Sequence, residues 1–461
     1  MKMKDIADIS RAKARIAEVL GSALVESMAV RTEHSRNEAH FGPALPDAVA
    51  FVRTAEEVSK VLAICHDEGC PVTAWAAGTA LEGQHLPVFG GITLNMMEMN
   101  RVKTVHTEDM DAVVEPGVTR EQLNEDLRAT GLFFSVDPGA NASLGGMAAT
   151  RASGTTALRY GTMRDNIRAL EVVLANGQVI RTGSRARKSS SGYDLTGAFV
   201  GSEGTLGIIT ELTVKLHGVP EAVSAAVVCF SHVDAAVQTV IATIQMGIPV
   251  ARMELLDTNY AEALNHSFQM DLPRKPHLFL EFHGSETGVQ EVAETLRQVA
   301  EEHGGSAFSW KTTMEDRNAL WRARHGAYEA MCAKHPGRRS VVTDVCVPVS
   351  RLSEMIEAAR ADIAASEIPG AVIGHVGDGN FHAQLMVKDG DQADLQIAKG
   401  LARRMSERAL SAGGTITGEH GIGLGKKDLM EAEHGPAWAV MGDMKQLFDP
   451  KGILNPGKLV R

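Results

Sequence analysis

Two short stretches of this 461-residue chain gather residue types that can do chemistry. In IGHVGDGNFHAQLMV, His375 and His382 flank Gly377, Asp378, Gly379 and Asn380, whose composition is that of a tight turn. A hairpin with a four-residue loop would pair Val376 with Phe381 and His375 with His382, setting the two Cβ atoms ~5 Å apart on one sheet face. Imidazoles so placed can share a divalent cation; they can equally hydrogen-bond a neighbouring carboxylate. The second stretch, TGEHGIGLGKK, supplies Glu419 as a carboxylate ligand and His420 as a titratable base. Adjacent side chains diverge on a strand, so one can ligate while the other faces substrate, given a loop loosened by Gly418, Gly421, Gly423 and Gly425. Two histidines and one carboxylate leave coordination positions open, as a catalytic metal requires. Taken alone, His420 would be an exposed loop histidine; beside His375 and His382 it reads as functional.

The first half of the chain carries a different signal. Glycine numbers 45, against a usual ~7% of residues, and ten of these fall in three segments: AAGTALEGQ (76–84), DPGANASLGGMAATRASGTTALRYGTMRDN (137–166) and GSEGTLGIITE (201–211). Each couples glycines with small and hydroxyl side chains beside a predicted strand. Small residues let backbone N–H groups meet a ligand directly and form anion nests. One such segment is ordinarily a tight turn; three in one half point to a large, pyrophosphate-containing dinucleotide. The chain has no GxGxxG, and GILNPGK (452–458) lacks the Ser or Thr and the helix of a phosphate loop.

The elements that must hold these residues alternate between strand and helix. AVAFVR reads as a strand, TAEEVSKVLAICHDEG as a helix capped by Thr54 with Glu57 completing a capping box, and PVTAWAAG as a strand. HGVPEA (217–222) marks a boundary. Beyond it the pattern predicts strands AVVCF, HLFLEFHG and VVTDVCVP and helices over 314–332, 351–366, 395–412 and 436–448. Several strands follow one another without a crossover helix, so mixed α+β domains are expected rather than one doubly wound sheet. The formal charge of −11 excludes nucleic acid as the main partner. Five cysteines without a CxxC pair argue against a cysteine-held zinc or iron–sulfur centre and suit a reducing compartment. No apolar run reaches the ~18 residues of a spanning helix. Ile6, Ile9, Ala12, Ile16 and Leu20 predict a packed amphipathic first helix in place of a targeting segment. The expected location is the cytoplasm, with peripheral association with the inner membrane left open.

The glycine segments closely resemble the FAD domain of the vanillyl-alcohol-oxidase-type (PCMH-type) flavoproteins. That resemblance implies a non-Rossmann FAD domain of two α+β subdomains over residues 40–217, after an N-terminal helical segment, 1–39. It maps Ala77, Gly78 and Thr79 onto the pyrophosphate loop. Pro138, Gly139, Ser143, Gly146, Ser153, Gly154, Tyr160, Glu203, Gly204, Gly207 and Ile209 map onto FAD-contacting positions. Covalently flavinylated members carry a histidine where Thr79 stands, which implies noncovalent FAD. GHVGDGNFH, TGEHGIGLGK and the closing FDPKGILNPGKL resemble the branch of FAD-dependent D-2-hydroxy-acid dehydrogenases that includes D-lactate dehydrogenases of the cytochrome-linked type. By that resemblance residues 218–424 form an α+β, ferredoxin-like substrate domain, and 425–461 return to the FAD domain, with Asn455 near the flavin. His375, His382 and Glu419 would bind zinc or manganese, His420 would be the catalytic base, and Arg324 would hold the substrate carboxylate. Arg338 and Arg339 match nothing and read as solvated charge. The 2-hydroxyglutarate enzymes carry a lysine just before the aspartate that matches Asp344; here Val342 stands at that place, which favours a monocarboxylate. The implied reaction is oxidation of a D-2-hydroxy acid, D-lactate first, to the 2-oxo acid, with electrons passing to a quinone, cytochrome or electron-transfer flavoprotein. D-2-hydroxyglutarate dehydrogenase, a glycolate oxidase FAD subunit, a His/His/Glu metallohydrolase without redox chemistry and a flavin-binding module without turnover are the rival readings. A homodimer is compatible with all of them.

Overall fold

The structure, a computed structural model, describes residues 9–37 and 39–460, and its chain divides into two compact units. The first gathers the described residues of Met1–Ser153, Gly161–Val219 and Glu419–Arg461; the second comprises Gly154–Tyr160 and Pro220–Gly418.

The first unit holds two main sheets and a two-stranded pair, Leu132–Phe133 with His217–Gly218. One runs Leu24–Val25, Ala48–Phe51, Ile92–Asn95, Val72–Trp75, its last three strands parallel. Parallel strands need a crossover, and helix Ala55–Glu68 supplies one. Thr54 caps it by accepting from the Glu57 N–H, whereas the Glu57 carboxylate reaches one residue further back than a capping box requires, to the Arg53 N–H. Helix Ile9–Leu20 buries Ala12 and Ile16 against this core; Ile6 lies outside the described residues. The C-terminal tail docks at the edge of the same sheet, where the Val72 N–H donates to Ile453 and the Asn455 N–H donates to Val72. The second sheet is antiparallel: Val102–His106, Asp111–Val114, Ile208–Lys215, Ile167–Val173, Val179–Gly183.

The second unit is built on an eight-stranded antiparallel sheet. Its path runs Ser306–Lys311, Ala222–Cys229, His277–Gly284, Val250–Leu256, Gly370–His375, Asn380–Lys388, Arg338–Val342, with Val345–Cys346 pairing beside Asn380–Lys388. Alternate residues enter two cores. Val228, Leu255, Leu280 and Ala383 pack against one helix layer; Val227, Leu256, Phe279 and Ile373 pack against the other. Helices on both faces explain why strands such as AVVCF are apolar without alternation. The helix expected over 314–332 breaks into Met314–His325 and Ala327–Lys334. Gly326 sits at the break, where a Cβ would come within 2.4 Å of the Phe268 ring.

Burial sets an acid limit on this fold. His277, in the second unit, and His217, in the first, are pushed down by burial to about 4 from an ordinary 6.5. Their neutral forms therefore stabilise the fold in full above pH 6.5, and that stability is lost as pH falls towards 4, because the unfolded chain takes up protons the folded one refuses. Asp257, raised to about 6 by burial, acts in the opposite sense. Replacing His277 with leucine should narrow the drop in Tm between pH 7.5 and pH 5, read by thermal scans across that range. An unchanged drop would remove His277 from the account.

Candidate active site

The histidine pair forms on the polar end of one face of the second unit's sheet. The hairpin register differs from the expected one: His375 pairs with Asn380, and His382 with Ile373. The cause is Val376, which is fully buried and donates its N–H to Met253 of the neighbouring strand, so pairing across the hairpin stops at His375 and the loop begins one residue earlier, at Val376. Gly379 closes that loop at φ +78°, with a Cβ position 2.0 Å from the Val347 carbonyl, where only glycine fits. A shift of two keeps both histidines on one face, and their rings meet edge to face with centroids 5.4 Å apart.

Each imidazole is oriented by its Nδ1. His375 Nδ1 lies 2.8 and 2.9 Å from the two oxygens of Glu254, its cross-strand partner. His382 Nδ1 donates to the Thr343 carbonyl at 3.0 Å and stands 3.6 Å from Asp344. The two readings of the pair, carboxylate bond or metal, are thus compatible: Nδ1 is held, and Nε2 is the nitrogen each ring would present to a cation. Asp344 is fixed by the Asn380 amide at 2.7 Å and the Thr417 hydroxyl at 2.7 Å. Thr417 lies in the irregular segment that closes this unit; Gly418 ends the unit and Glu419 is the next residue.

Glu254 is the residue that sequence reading missed. It is fully buried and binds His375 on one side and the Arg324 guanidinium on the other. Burial alone would raise its carboxyl; the charges of His375 and Arg324 outweigh that and hold it below the ordinary carboxylate range. The available signal was VARMELL, where Arg252 and Glu254 put two charges on one face of an otherwise apolar strand. Arg324, on helix Met314–His325, still has its Nε buried without an acceptor among the described residues, as does Nε1 of Trp321 on the same helix. Arg252 lies over the Trp321 ring at 4.6 Å and pairs with Glu281 at 3.3 Å. Arg338 is not solvated charge: it pairs with Asp394 at 3.0 Å and donates to the Met386 carbonyl.

In the first unit the three glycine segments meet. The Gly201 and Glu203 N–H groups donate to Ala148 and Ala149, joining the third segment to the second. A Cβ at Gly204 would stand 4.0 Å from that of Ala74, whose strand leads into Ala77, Gly78 and Thr79. The roles of the residues differ. Space is open beyond Gly139, and Gly204 has nothing closer than 4.0 Å, so backbone is presented where a Cβ would stand. Pro138, beside Gly139, is half-buried. The Ser143 hydroxyl caps helix Leu144–Thr150 through the Gly146 N–H. Gly207 is there for packing, a Cβ falling 2.5 Å from Val172, and Ile209 is core. Ser153 ends the first unit's segment, and Gly154 to Tyr160 belong to the second, where the Tyr160 hydroxyl bonds His283 Nδ1 at 2.7 Å. The side chains of Glu203 and Asn455 are engaged with protein groups. Glu419 to Leu424, assigned from sequence to the substrate domain, belong to the first unit, because Gln84, Glu203 and Glu82 bind their backbone.

A two-sheet domain with converging glycine segments, followed by a sheet carrying an oriented histidine pair, defines an FAD-linked oxidoreductase. Residues 46–183 match the FAD binding domain family and residues 219–459 the C-terminal domain of FAD linked oxidases. The chain belongs to the FAD-linked oxidase family. Among its relatives is a zebrafish (Danio rerio) protein named "Probable D-lactate dehydrogenase, mitochondrial", 47% identical over 94% of this chain and 88% of its own. Another, from Arabidopsis thaliana, is named "D-lactate dehydrogenase [cytochrome], mitochondrial", 45% identical over 92% of this chain and 75% of its own. The fold is shared with 4-ethylphenol oxidase from Gulosibacter chungangensis, at TM-score 0.81 and 19% identity over 98% of both chains. These relatives correct the cytoplasmic expectation, since both D-lactate dehydrogenases are named as mitochondrial. Free cysteines mark a reducing compartment and do not say which one. Among the described residues no helix is long and apolar enough to cross a membrane.

Proposed function

We propose that this enzyme oxidises D-lactate to pyruvate and passes the electrons to a non-NAD acceptor such as a quinone, a cytochrome or an electron-transfer flavoprotein. The observation that carries the reading is Glu254, which fastens a buried arginine and one of the paired histidines into a single group. An anion-binding cation and a metal position side by side suit a 2-hydroxy acid, whose carboxylate and hydroxyl sit on adjacent carbons. The names of the zebrafish and Arabidopsis relatives support lactate within that class.

Open backbone at Gly139 and Gly204 fits a dinucleotide approached by N–H groups; with Thr79 in the first loop the FAD is held noncovalently. FAD held there would supply a two-electron acceptor for the oxidation at C2 of the substrate. The donor set of two imidazoles and a carboxylate fits zinc or manganese, held by His375, His382 and Glu419, and such a cation would lower the pKa of a bound hydroxyl. Arg324 binds the carboxylate by charge-assisted hydrogen bonds, its buried Nε–H being a donor that awaits an acceptor. His420 removes the hydroxyl proton.

Anaerobic bleaching of the flavin tests the substrate and the metal together. D-Lactate should bleach it faster than L-lactate, glycolate or D-2-hydroxyglutarate. Chelator should abolish the reaction, and zinc or manganese should restore it. Bleaching unaffected by thorough chelation would remove the metal, and preference for the dicarboxylate would remove lactate.

A further inference from the structure

The loop that carries His420 is held by side chains from three distant parts of the chain. The Glu203 carboxylate accepts the Ile422 N–H at 2.6 Å and the Gly423 N–H at 2.9 Å, and the Gln84 amide donates to the His420 carbonyl at 2.6 Å. Asn455, from the tail, ties these two together: its amide donates to the Gln84 carbonyl at 2.9 Å and the Glu203 carbonyl at 2.7 Å. Its Oδ1 accepts from Lys458 at 2.7 Å, and Lys458 also donates to the Leu86 carbonyl at 2.7 Å. All four side chains are buried. The loop lies directly on this frame. A Cβ at Gly421 would stand 2.5 Å from Glu203 Oε1 and 2.7 Å from Gln84 Nε2, and one at Gly423 would stand 2.1 Å from the Glu82 carbonyl.

Two features say that the frame serves the loop. Residues 416–424 belong to no helix or strand, so nothing in the loop's own backbone fixes the bearing of His420. Glu203 and Asn455 both have positive φ, 53° and 42°, in the left-handed region where glycine is the easiest residue. A side chain kept at two such positions, at a backbone cost, is kept for what it bonds. Glu203 also bears the cost of a buried carboxylate, offset by two loop N–H groups.

We propose that Glu203, seconded by Gln84, is a positioning residue that sets the bearing of His420 for proton removal, with Asn455 and Lys458 locking the pair in place. The proposal rests on the reading of His420 as the base. It assigns Glu203 and Asn455 a role in the protein frame in place of contact with the flavin by their side chains.

The test compares FAD-loaded Glu203→Gln, Gln84→Ala and His420→Ala with the parent in anaerobic stopped-flow reduction by D-lactate. Glu203→Gln keeps the shape but turns one acceptor into a donor facing a loop N–H. Both frame variants should keep full FAD content and reduce ~10- to 100-fold more slowly, as small misplacements of a reacting group do. The half-saturating D-lactate concentration should change less than ~3-fold, the split expected when transition-state geometry alone suffers. Amide exchange over residues 420–424 should lose protection in both, with or without FAD. Parent-like reduction with parent-like exchange would overturn the proposal, as would release of FAD with the loop still protected. If His420→Ala itself reduces at the parent rate, the underlying reading of the base fails. If His420→Ala is slow and both frame variants are fast, the positioning role alone fails.

Discussion

Glu254→Ala should destabilise the protein by about 3–5 kcal/mol, because it strands a buried guanidinium beside a half-buried imidazole. Glu254 is fully buried, and Arg324 is only 8% exposed, so water cannot replace the lost carboxylate. The same change removes the carboxylate that orients the His375 ring through its Nδ1. Loss of such an orienting partner weakens metal affinity by roughly 10- to 100-fold. Glu254→Gln keeps one oxygen for Arg324 and His375 to share but removes the charge, so its effect should be smaller in both respects. Thermal unfolding and metal content after dialysis are the two readouts. Parent-like values for Glu254→Ala in both would show that Arg324 and His375 do not depend on it.

His420→Ala should lower the rate of flavin reduction by D-lactate by roughly 10²- to 10⁴-fold, the range that a general base contributes. FAD content should stay full, because the Gln84 bond to this residue is made to its backbone carbonyl, which alanine retains. The Kd for D-lactate should change little if Arg324 supplies the grip on the carboxylate. Reduction at the parent rate would exclude His420 as the base. Loss of FAD would point instead to a role in building the first unit.

The histidine pair was legible because its signal is local: two histidines around GDGN on a period of two meet on one face under either register. The register itself was not, since it depends on Val376 bonding a strand more than a hundred residues away. Glu254 was missed for the same kind of reason. Its two partners come from another strand and from a helix, and no spacing in the sequence joins them. The single helix read over 314–332 failed at Gly326, where close approach of Phe268 overrides a helical pattern. The compartment was misjudged because free thiols are common to every reducing space.

By itself the sequence determined the kinds of chemistry available. Glycine segments suited backbone contact with an anion, a histidine pair with a nearby carboxylate suited a metal, and the acidic balance spoke against nucleic acid. These follow from residue type and short-range period, which folding does not change. Only the tertiary structure decided which glycines are open to a ligand and which are closed by packing. It also decided that Glu254 joins Arg324 to His375, and that Glu203 and Gln84 bind the His420 loop. Burial is what gives those contacts their weight, since a carboxylate removed from water must be paired by groups that only the folded chain brings to it.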